Sequence, residues 1–278
     1  HTRYISVTGV QTCALPILQK ALKTSTTTIS IIDANAVIQI AHEKNEDWIV
    51  QMKEIIQDRD VDMLDIDEND NPKYMFYVKN SYDQIFKCLW NSNDAPSTVE
   101  PFFQPGTYGT NNIFQGIDGY KWKYMYTIDA AERMRFTTTD FVPVRTVEFD
   151  DNSTQYQVQD LATPGAIHNI LVTNSGTDYV SNNITVTVTG DGIDCNAYAV
   201  RNVTTNTISS ITIDNKGYGY TYATVSITTA NGVGAVSRAI ISPPGGHGSD
   251  ALTELGGSYL VINPRIIKDR KSTRLNSS

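Results

Sequence analysis

Cysteine, tryptophan and long apolar runs are scarce in this 278-residue chain, and basic residues are fewer than acidic ones. The chain has 3 Cys and 3 Trp, and 22 Lys and Arg stand against 30 Asp and Glu. The cysteines form no CxxC pair and no Cys/His cluster, which argues against structural zinc and is compatible with a reducing cytosol. No stretch reaches the roughly 18 apolar residues of a membrane-spanning helix. The acidic balance argues against a nucleic-acid or anionic-membrane partner, since phosphate groups bind basic surfaces.

The two ends of the chain resemble translated sequencing-adapter DNA. Residues 1–3, 7–17 and 269–278 correspond in frame to adapter sequence. We therefore expect residues 1–17 and 269–278 to be artefact and residues 18–268 to be a fragment of a longer gene. Setting the ends aside removes four of the 22 basic residues and one of the 30 acidic residues, which moves the formal charge from −8 to −11.

An N-terminal segment, residues 18–60, is predicted to be partly helical. Trp48, Met52, Ile55 and Ile56 recur at helical spacing and predict a helix that begins near them.

Residues 61–164 predict a β-rich core domain in which short strands alternate with turns. Residues 74–78 and 84–90 have strand composition, whereas 91–116 is a long loop rich in Pro, Asn, Gly and Thr. Further on, residues 139–144 predict an extended segment in which Pro143 indicates an edge position or the exit of a strand.

A short helix is predicted to begin after Asp129. Asp129 followed three residues later by Glu132 has the form of a capping box. We expect a short helix that buries Ala131 and Met134 and ends at Phe136.

Residues 165–242 are strand-like almost throughout and contain an internal repeat. Residues 167–179 align with 208–220 at an offset of 41. Two copies cannot close a propeller, and solenoids usually need about three. The sequence therefore predicts an inserted, sandwich-like pair of β repeats, followed by a segment, 243–268, that returns to the core. The fold class is mainly β: a multidomain β-sandwich architecture with a few short helices.

Patterns that could carry catalysis or bind metal are incomplete. Residues 65–70 open like an EF-hand loop but lack its glycine and its bidentate glutamate. Residues 245–250 place a His, a Ser and an Asp within four positions, yet the GxSxG motif of a nucleophile elbow is absent. Paired carboxylates for glycoside hydrolysis stay open, because sequence gives no distances. We therefore predict no catalytic residue, no metal site and no cofactor.

The most informative stretch is residues 118–128. Its Asp-Gly pair favours a tight turn, and Tyr120, Trp122, Tyr124 and Tyr126 alternate so that they share one face of a strand. Aromatic side chains are enriched at interface hot spots. Two alternatives are open: all four lie in the core, or they divide between the core and a surface between subunits.

Five segments together resemble the baseplate wedge protein family of T-even-like contractile-tailed bacteriophages. These segments are residues 86–89, 96–101, 118–128, 139–144 and 245–250. The resemblance spans roughly residues 48–267, while 18–44 match poorly. It implies a mainly β, multidomain, non-enzymatic virion subunit that is assembled in the host cytoplasm, dimerises and contacts other wedge proteins, with no nucleic-acid partner and no membrane insertion.

Two kinds of binding surface could serve such a protein: a contact between subunits or a site for a glycan or receptor. The interface candidates are Tyr120, Trp122, Tyr124, Tyr126, Phe141, Pro143 and His247. The alternative function is a glycan- or receptor-binding module of the tail-fibre type, which exposed tyrosines in the β repeats at 179, 218, 220 and 222 would favour.

Overall fold

The computed structural model describes residues 27–34, 37–39, 48–52, 76–106, 112–144, 146–181 and 183–262. The described residues are mostly β, with 45% of them in strands and 10% in helices, which confirms the mainly β fold class. The EF-hand-like residues 65–70 lie outside the described residues.

Fourteen strands and three helices are described, in the following order along the chain. They are β1 (Thr27–Asp33), β2 (Ile38–Gln39), β3 (Tyr77–Lys79), β4 (Gln84–Trp90), β5 (Ile113–Gln115), β6 (Lys121–Thr127), α1 (Ala130–Phe136), β7 (Phe141–Pro143), α2 (Thr154–Asp160), β8 (Ile167–Thr177), β9 (Thr185–Gly190), β10 (Ile193–Asn202), β11 (Thr207–Tyr218), β12 (Ala223–Thr228), β13 (Val233–Ile241), α3 (Ala251–Glu254) and β14 (Ser258–Ile262).

Two sheets form the body of the molecule. A five-stranded sheet has the order β2-β3-β4-β6-β5, and a three-stranded sheet has the order β14-β1-β7. Strands β4 and β6 are central and almost wholly buried. Both of their faces are therefore covered, so their apolar residues do not simply alternate with polar ones.

The predicted edge position of Pro143 is confirmed. Strand β7 is the outer strand of the three-stranded sheet and pairs Pro143 with Ile31. Proline cannot donate a backbone hydrogen bond, so an edge strand suits it.

The helix predicted near Trp48 is wrong over residues 48–52. Trp48, Val50 and Met52 are buried while Ile49 and Gln51 are exposed, which is the period-two pattern of extended chain. Val50 pairs with Ser97 through two backbone hydrogen bonds of 3.0 and 2.7 Å. The apparent helical spacing depended on Ile55 and Ile56, which lie outside the described residues.

The helix predicted after Asp129 is present, but its predicted burial is wrong. Asp129 is the N-cap and accepts a hydrogen bond from the Ala131 amide, and the helix ends at Phe136. None of its seven residues is buried, and Met134 is 67% exposed. An ion pair of 2.8 Å between Arg133 and Asp83 fastens this helix to the body instead of an apolar face.

The loop prediction for residues 91–116 also needs a correction. Ile113–Gln115 forms strand β5, which pairs with β6. Helix α2, which begins after the Ser153 cap, was not predicted.

The two sequence repeats form one unit with pseudo-twofold symmetry, which we call the repeat unit (residues 167–241). Each copy supplies three strands, β8 to β10 and β11 to β13. Strand β8 pairs with β13, β10 with β11, and β9 with β12. The first strand of each copy thus pairs with the third strand of the other. In the β9–β12 ladder Val186 pairs with Ile227, its own counterpart in the repeat, so the pseudo-twofold axis passes beside that pair.

The symmetry extends to irregularities of the backbone. The β10–β11 ladder shifts register after Asn196 and after Val200, and the β13–β8 ladder shifts after Val236 and after Ile240, each 40 residues later. The repeat unit has its own hydrophobic cluster, separate from that of the body. Its arrangement as a sandwich stays a prediction.

Candidate functional site

All four aromatic residues of the central strand lie inside the molecule. Tyr120, Trp122, Tyr124 and Tyr126 are between 0 and 3% exposed. Tyr120 stacks on Trp122 with ring centroids 5.3 Å apart, and Tyr124 stacks on Phe103 at 4.2 Å. These side chains belong to the core of the chain, which is the first of the two alternatives, and they offer no surface to a partner.

A β-bulge places Tyr126 on the other face of the sheet from Tyr124. Tyr124 pairs with Phe86, whereas Tyr126 pairs with Ile85, the adjacent residue of β4. Adjacent strand residues point to opposite faces, so the extra residue Met125 reverses the alternation. The prediction that all four aromatics share one face is therefore wrong at Tyr126, whose hydroxyl donates to the Pro143 carbonyl.

The Asp-Gly turn before this strand also holds loop 96–101 in place. Gly119 has a φ of +87°, as a tight turn requires. The Asp118 carboxylate accepts hydrogen bonds from the Ser97 hydroxyl at 2.7 Å and from the amides of Thr98 and Val99 at 3.1 and 3.2 Å. Asp118 thus ties loop 96–101 to the start of β6.

The other segments that carry the family resemblance also meet strand β6. Phe86 packs edge-on against Tyr124, and the Pro143 carbonyl accepts the Tyr126 hydroxyl. A Cβ added at Gly248 would lie 3.0 Å from Cε of Lys123, so loop 245–250 contacts the opposite face. Four of the five segments therefore converge on the fifth, which contains strand β6.

On that face, ionisable side chains form a group that we call the junction cluster: Lys87, Lys123 and His247, which are buried, and His168 and Glu254, which are partly buried. Lys87 and Lys123 are direct neighbours across β4 and β6, and the Glu254 carboxylate lies 3.4 Å from Nζ of Lys87. The His168 and His247 rings have centroids 5.4 Å apart. Like charges opposite each other repel, so Glu254 partly compensates the lysine pair.

The junction cluster holds the return loop to the sheet. Glu254 accepts the Gly248 amide at 2.7 Å, and the Tyr77 hydroxyl donates to the Glu254 carbonyl at 3.2 Å. Lys121 donates to the His168 carbonyl at 2.9 Å. Strands β3, β4, β6 and β8 and helix α3 thus meet at one point.

Burial dominates the electrostatics of this cluster. It lowers the pKa of Lys123 to about 7, and Glu254 opposes that shift. Burial and the neighbouring lysines lower the pKa of His168 to about 3 and hold the pKa of His247 well below its usual value. Both histidines are therefore neutral at pH 7.

This arrangement favours a structural role for the group. Lys123 is 2% exposed and His247 is 3% exposed, so a substrate would have to displace core packing to reach them. Asp250, which the sequence placed beside His247, is the N-cap of α3 and accepts hydrogen bonds from the Leu252 amide and the Thr146 hydroxyl. Among the described residues, no group of three or more His, Cys, Asp and Glu side chains could hold a metal ion.

The three remaining interface candidates are not surface features either. Pro143 and His247 are buried, and Phe141 is partly buried on the edge strand. Sequence reasoning missed the exposed apolar side chains on the body, among them Ile117, which is 94% exposed, Tyr82 at 63% and Phe102 at 43%; Phe149 and Ile49 are also exposed, at 78 and 68%. The rings of Tyr82 and Phe102 pack edge to face at 5.0 Å. Ile117 directly precedes the Asp-Gly pair, and an apolar residue at the tip of a turn could have indicated its exposure.

The tyrosines of the repeat unit divide into two classes. Tyr179 and Tyr220 are equivalent, 1 and 3% exposed, and their hydroxyls accept the amides of Ala235 and Cys195. Tyr218 and Tyr222 are 50 and 61% exposed, and Tyr198 of β10 is 52% exposed. These exposed tyrosines, and not the buried pair, are accessible to a glycan.

The fold and the site define a mainly β protein: a two-sheet body joined through a buried ionisable cluster to an inserted β unit of pseudo-twofold symmetry. No family model, curated protein or solved structure matches the chain. None of the helices in the described part of the chain is long and apolar enough to cross a membrane.

Proposed function

We propose that this chain is a structural subunit of the baseplate wedge of a contractile-tailed bacteriophage. It is assembled into the virion tail in the host cytoplasm, binds other wedge proteins and a second copy of itself, and acts by assembly and not by catalysis. The observation that carries the proposal is the convergence of four of the resembling segments on the fifth, which contains strand β6. Segments that pack together as one constellation support a shared fold more strongly than five separate matches would.

The exposed apolar side chains support a protein-binding surface on the body. Single exposed apolar residues are ordinary. Ile117 and the Tyr82–Phe102 pair differ in their setting, because Ile117 adjoins Asp118 and Phe102 follows the loop that Asp118 holds. The Glu100 side chain in that loop also accepts the Ser81 amide at 2.6 Å, beside Tyr82. An ordered apolar surface loses little conformational entropy when a partner binds.

Co-expression with the products of the neighbouring genes tests the proposal. We expect the full chain to form a stable complex with at least one wedge protein, measured by size-exclusion chromatography with light scattering. Ile117→Asp should weaken that complex about tenfold or more, because a charge would be buried at the interface. Met134→Asp is the matched control, since Met134 is exposed on α1, and it should bind normally. Failure to bind any encoded wedge protein, or a gene neighbourhood of metabolic enzymes, would overturn the proposal.

A glycan-binding module is the second candidate, and the exposure of Tyr218 and Tyr222 favours it. Its prediction is binding on a glycan array that Tyr222→Ala abolishes while Tyr82→Ala leaves it intact. Silence on the array together with binding to a wedge protein decides for the assembly role.

A further inference from the structure

The repeat unit joins the body through two chain connections that lie side by side. The Ala166 amide donates to the Ser242 hydroxyl at 2.9 Å, and the Ser242 amide donates to the Ala166 carbonyl at 2.9 Å. The Ser242 hydroxyl also donates to the Thr163 carbonyl at 3.2 Å. The chain therefore enters and leaves the repeat unit at one place, which is the geometry of a hinge.

Beyond this hinge, one face of the repeat unit packs on the body. Leu171 and Ile240 are 5 and 4% exposed and belong to the hydrophobic cluster of the body. The Asn169 amide reaches the Leu89 carbonyl at 3.5 Å. The rest of the repeat unit is held by its own cluster, so this face can separate from the body without disrupting that cluster.

Two histidines and several lysines occupy the boundary between hinge and face. His168 is the second residue of β8, next to Asn169, and His247 lies in the return loop of the body. Four lysines act on one or both of these rings: Lys87, Lys121, Lys123 and Lys216. The carboxylate of Glu254 acts on Lys123. Lys216 donates to the Thr163 hydroxyl at 2.8 Å. Two further charged residues adjoin the boundary: Asp250, which caps α3, and Arg238, which pairs with Leu171.

We propose that His168 and His247 form an acid-sensitive latch, which holds the repeat unit against the body while both rings are neutral and releases it as a unit when they bind protons. While the face is closed, His247 is 3% exposed and His168 is partly buried. Each ring becomes more exposed to water when the face opens and then takes up a proton near its ordinary pKa of about 6.5. The closed state binds that proton only at lower pH, because burial and the neighbouring lysines lower the pKa of both rings. The open state thus binds more protons below pH 6.5, so the closed state loses stability as pH falls.

Thiol labelling of the folded full chain, resolved by peptide mass spectrometry, tests this latch with Leu171→Cys as the reporter, because the Leu171 side chain is buried against the body. After correction for the intrinsic pH dependence of a thiol, this variant should show an opening constant that rises about tenfold for each histidine between pH 7.5 and pH 5.5, or about a hundredfold in total. Ile170→Cys places its thiol in the repeat unit's own cluster and should show no such rise. This pH range lies above the ordinary titration of carboxyl groups but includes the folded pKa of Lys123, about 7, so both reporters also carry Lys123→Met.

Variants separate titration from packing. His168→Gln and His247→Gln should each reduce the rise to about tenfold, and the double variant should remove it. Asn169→Ala is the matched control: it removes a contact of the same face without removing a titrating group, so opening increases at every pH while the hundredfold rise remains. The latch is refuted if opening is independent of pH, if the histidine variants keep the full rise, or if the Ile170→Cys reporter opens in parallel.

Discussion

Gly192 and Gly232 occupy equivalent positions of the two repeats, and the structure predicts the same penalty for an added methyl group at each. A Cβ at Gly192 would lie 2.4 Å from Cδ2 of Tyr220, and one at Gly232 would lie 2.4 Å from Cδ1 of Tyr179. Carbon atoms in contact are normally about 3.5–4.0 Å apart. Neither glycine is among the residues with positive φ, so the penalty comes from sterics and not from backbone strain.

The magnitude follows from how little the tyrosine rings can move. Both rings are buried, and their hydroxyls are held by the amides of Ala235 and Cys195. Overpacking a rigid core costs about 1–3 kcal/mol. We therefore expect Gly192→Ala and Gly232→Ala each to lower the free energy of unfolding by about 2–3 kcal/mol, measured by urea denaturation of the full chain.

Two comparisons identify the cause of that loss. Gly232→Ala should cost less in a Tyr179→Ala background, because the clashing ring is then absent. Gly106→Ala is a control for backbone strain alone, since Gly106 has a φ of +81° and no atom within 4 Å of the added carbon. The added carbon at Gly192 would also lie 2.6 Å from the backbone nitrogen of Tyr220, so the loss there should be at least as large as at Gly232. A neutral effect at either repeat position, or a clearly smaller loss at Gly192 than at Gly232, would refute the reasoning.

Three further outcomes are expected from urea denaturation. Trp122→Ala should lose about 3–5 kcal/mol, because the side chain is 1% exposed, and a loss below about 1 kcal/mol would contradict its core position. Asp129→Ala should lose only about 1 kcal/mol, since it removes one N-cap hydrogen bond, and Thr138→Ala at a neighbouring turn serves for comparison. The pKa of Lys123 is about 7 in the folded state and 10.5 in the unfolded state, so between pH 7 and pH 9 the unfolded state binds more protons and stability rises with pH. We expect the free energy of unfolding of the unsubstituted chain to increase by about 2 kcal/mol over this range, and Lys123→Met should abolish that increase. An equal gain in the variant would contradict that assignment.

Local chemistry made part of the fold predictable from the sequence. The bounds of β4 match the predicted strand at 84–90, and the Asp-Gly turn and the Asp129 cap lie where their residue types indicated. Each of these features is decided within a few residues, by a backbone conformation that glycine permits or by a side-chain oxygen that caps a helix.

Tertiary packing decided what the sequence could not. The bulge at Met125 arises where β4 and β6 pair, and no residue type in β6 marks it. The hydrophobic spacing near Trp48 fitted a helix, yet pairing with Ser97 made the chain extended. The junction cluster joins residues from 87 to 254, and each of its members taken alone has the sequence character of an ordinary surface charge.

The symmetry of the repeat unit also explains why its two copies differ where they do. Residues that fill the repeat unit's own core are retained: Ile170 corresponds to Ile211 and Tyr179 to Tyr220, and all four are buried.

On the outer face the copies diverge. Leu171 and Ile240 are buried against the body, whereas their counterparts Thr212 and Val200 are exposed. The scaffold is the same on both sides, so the difference in environment, and not the fold, accounts for the change from leucine to threonine. In the same comparison His168 corresponds to Ser209. Each of them lies at an equivalent register shift, His168 in β8 and Ser209 in β11. The histidine is therefore a feature of the docked copy, and the latch belongs to the contact with the body and not to the repeat itself.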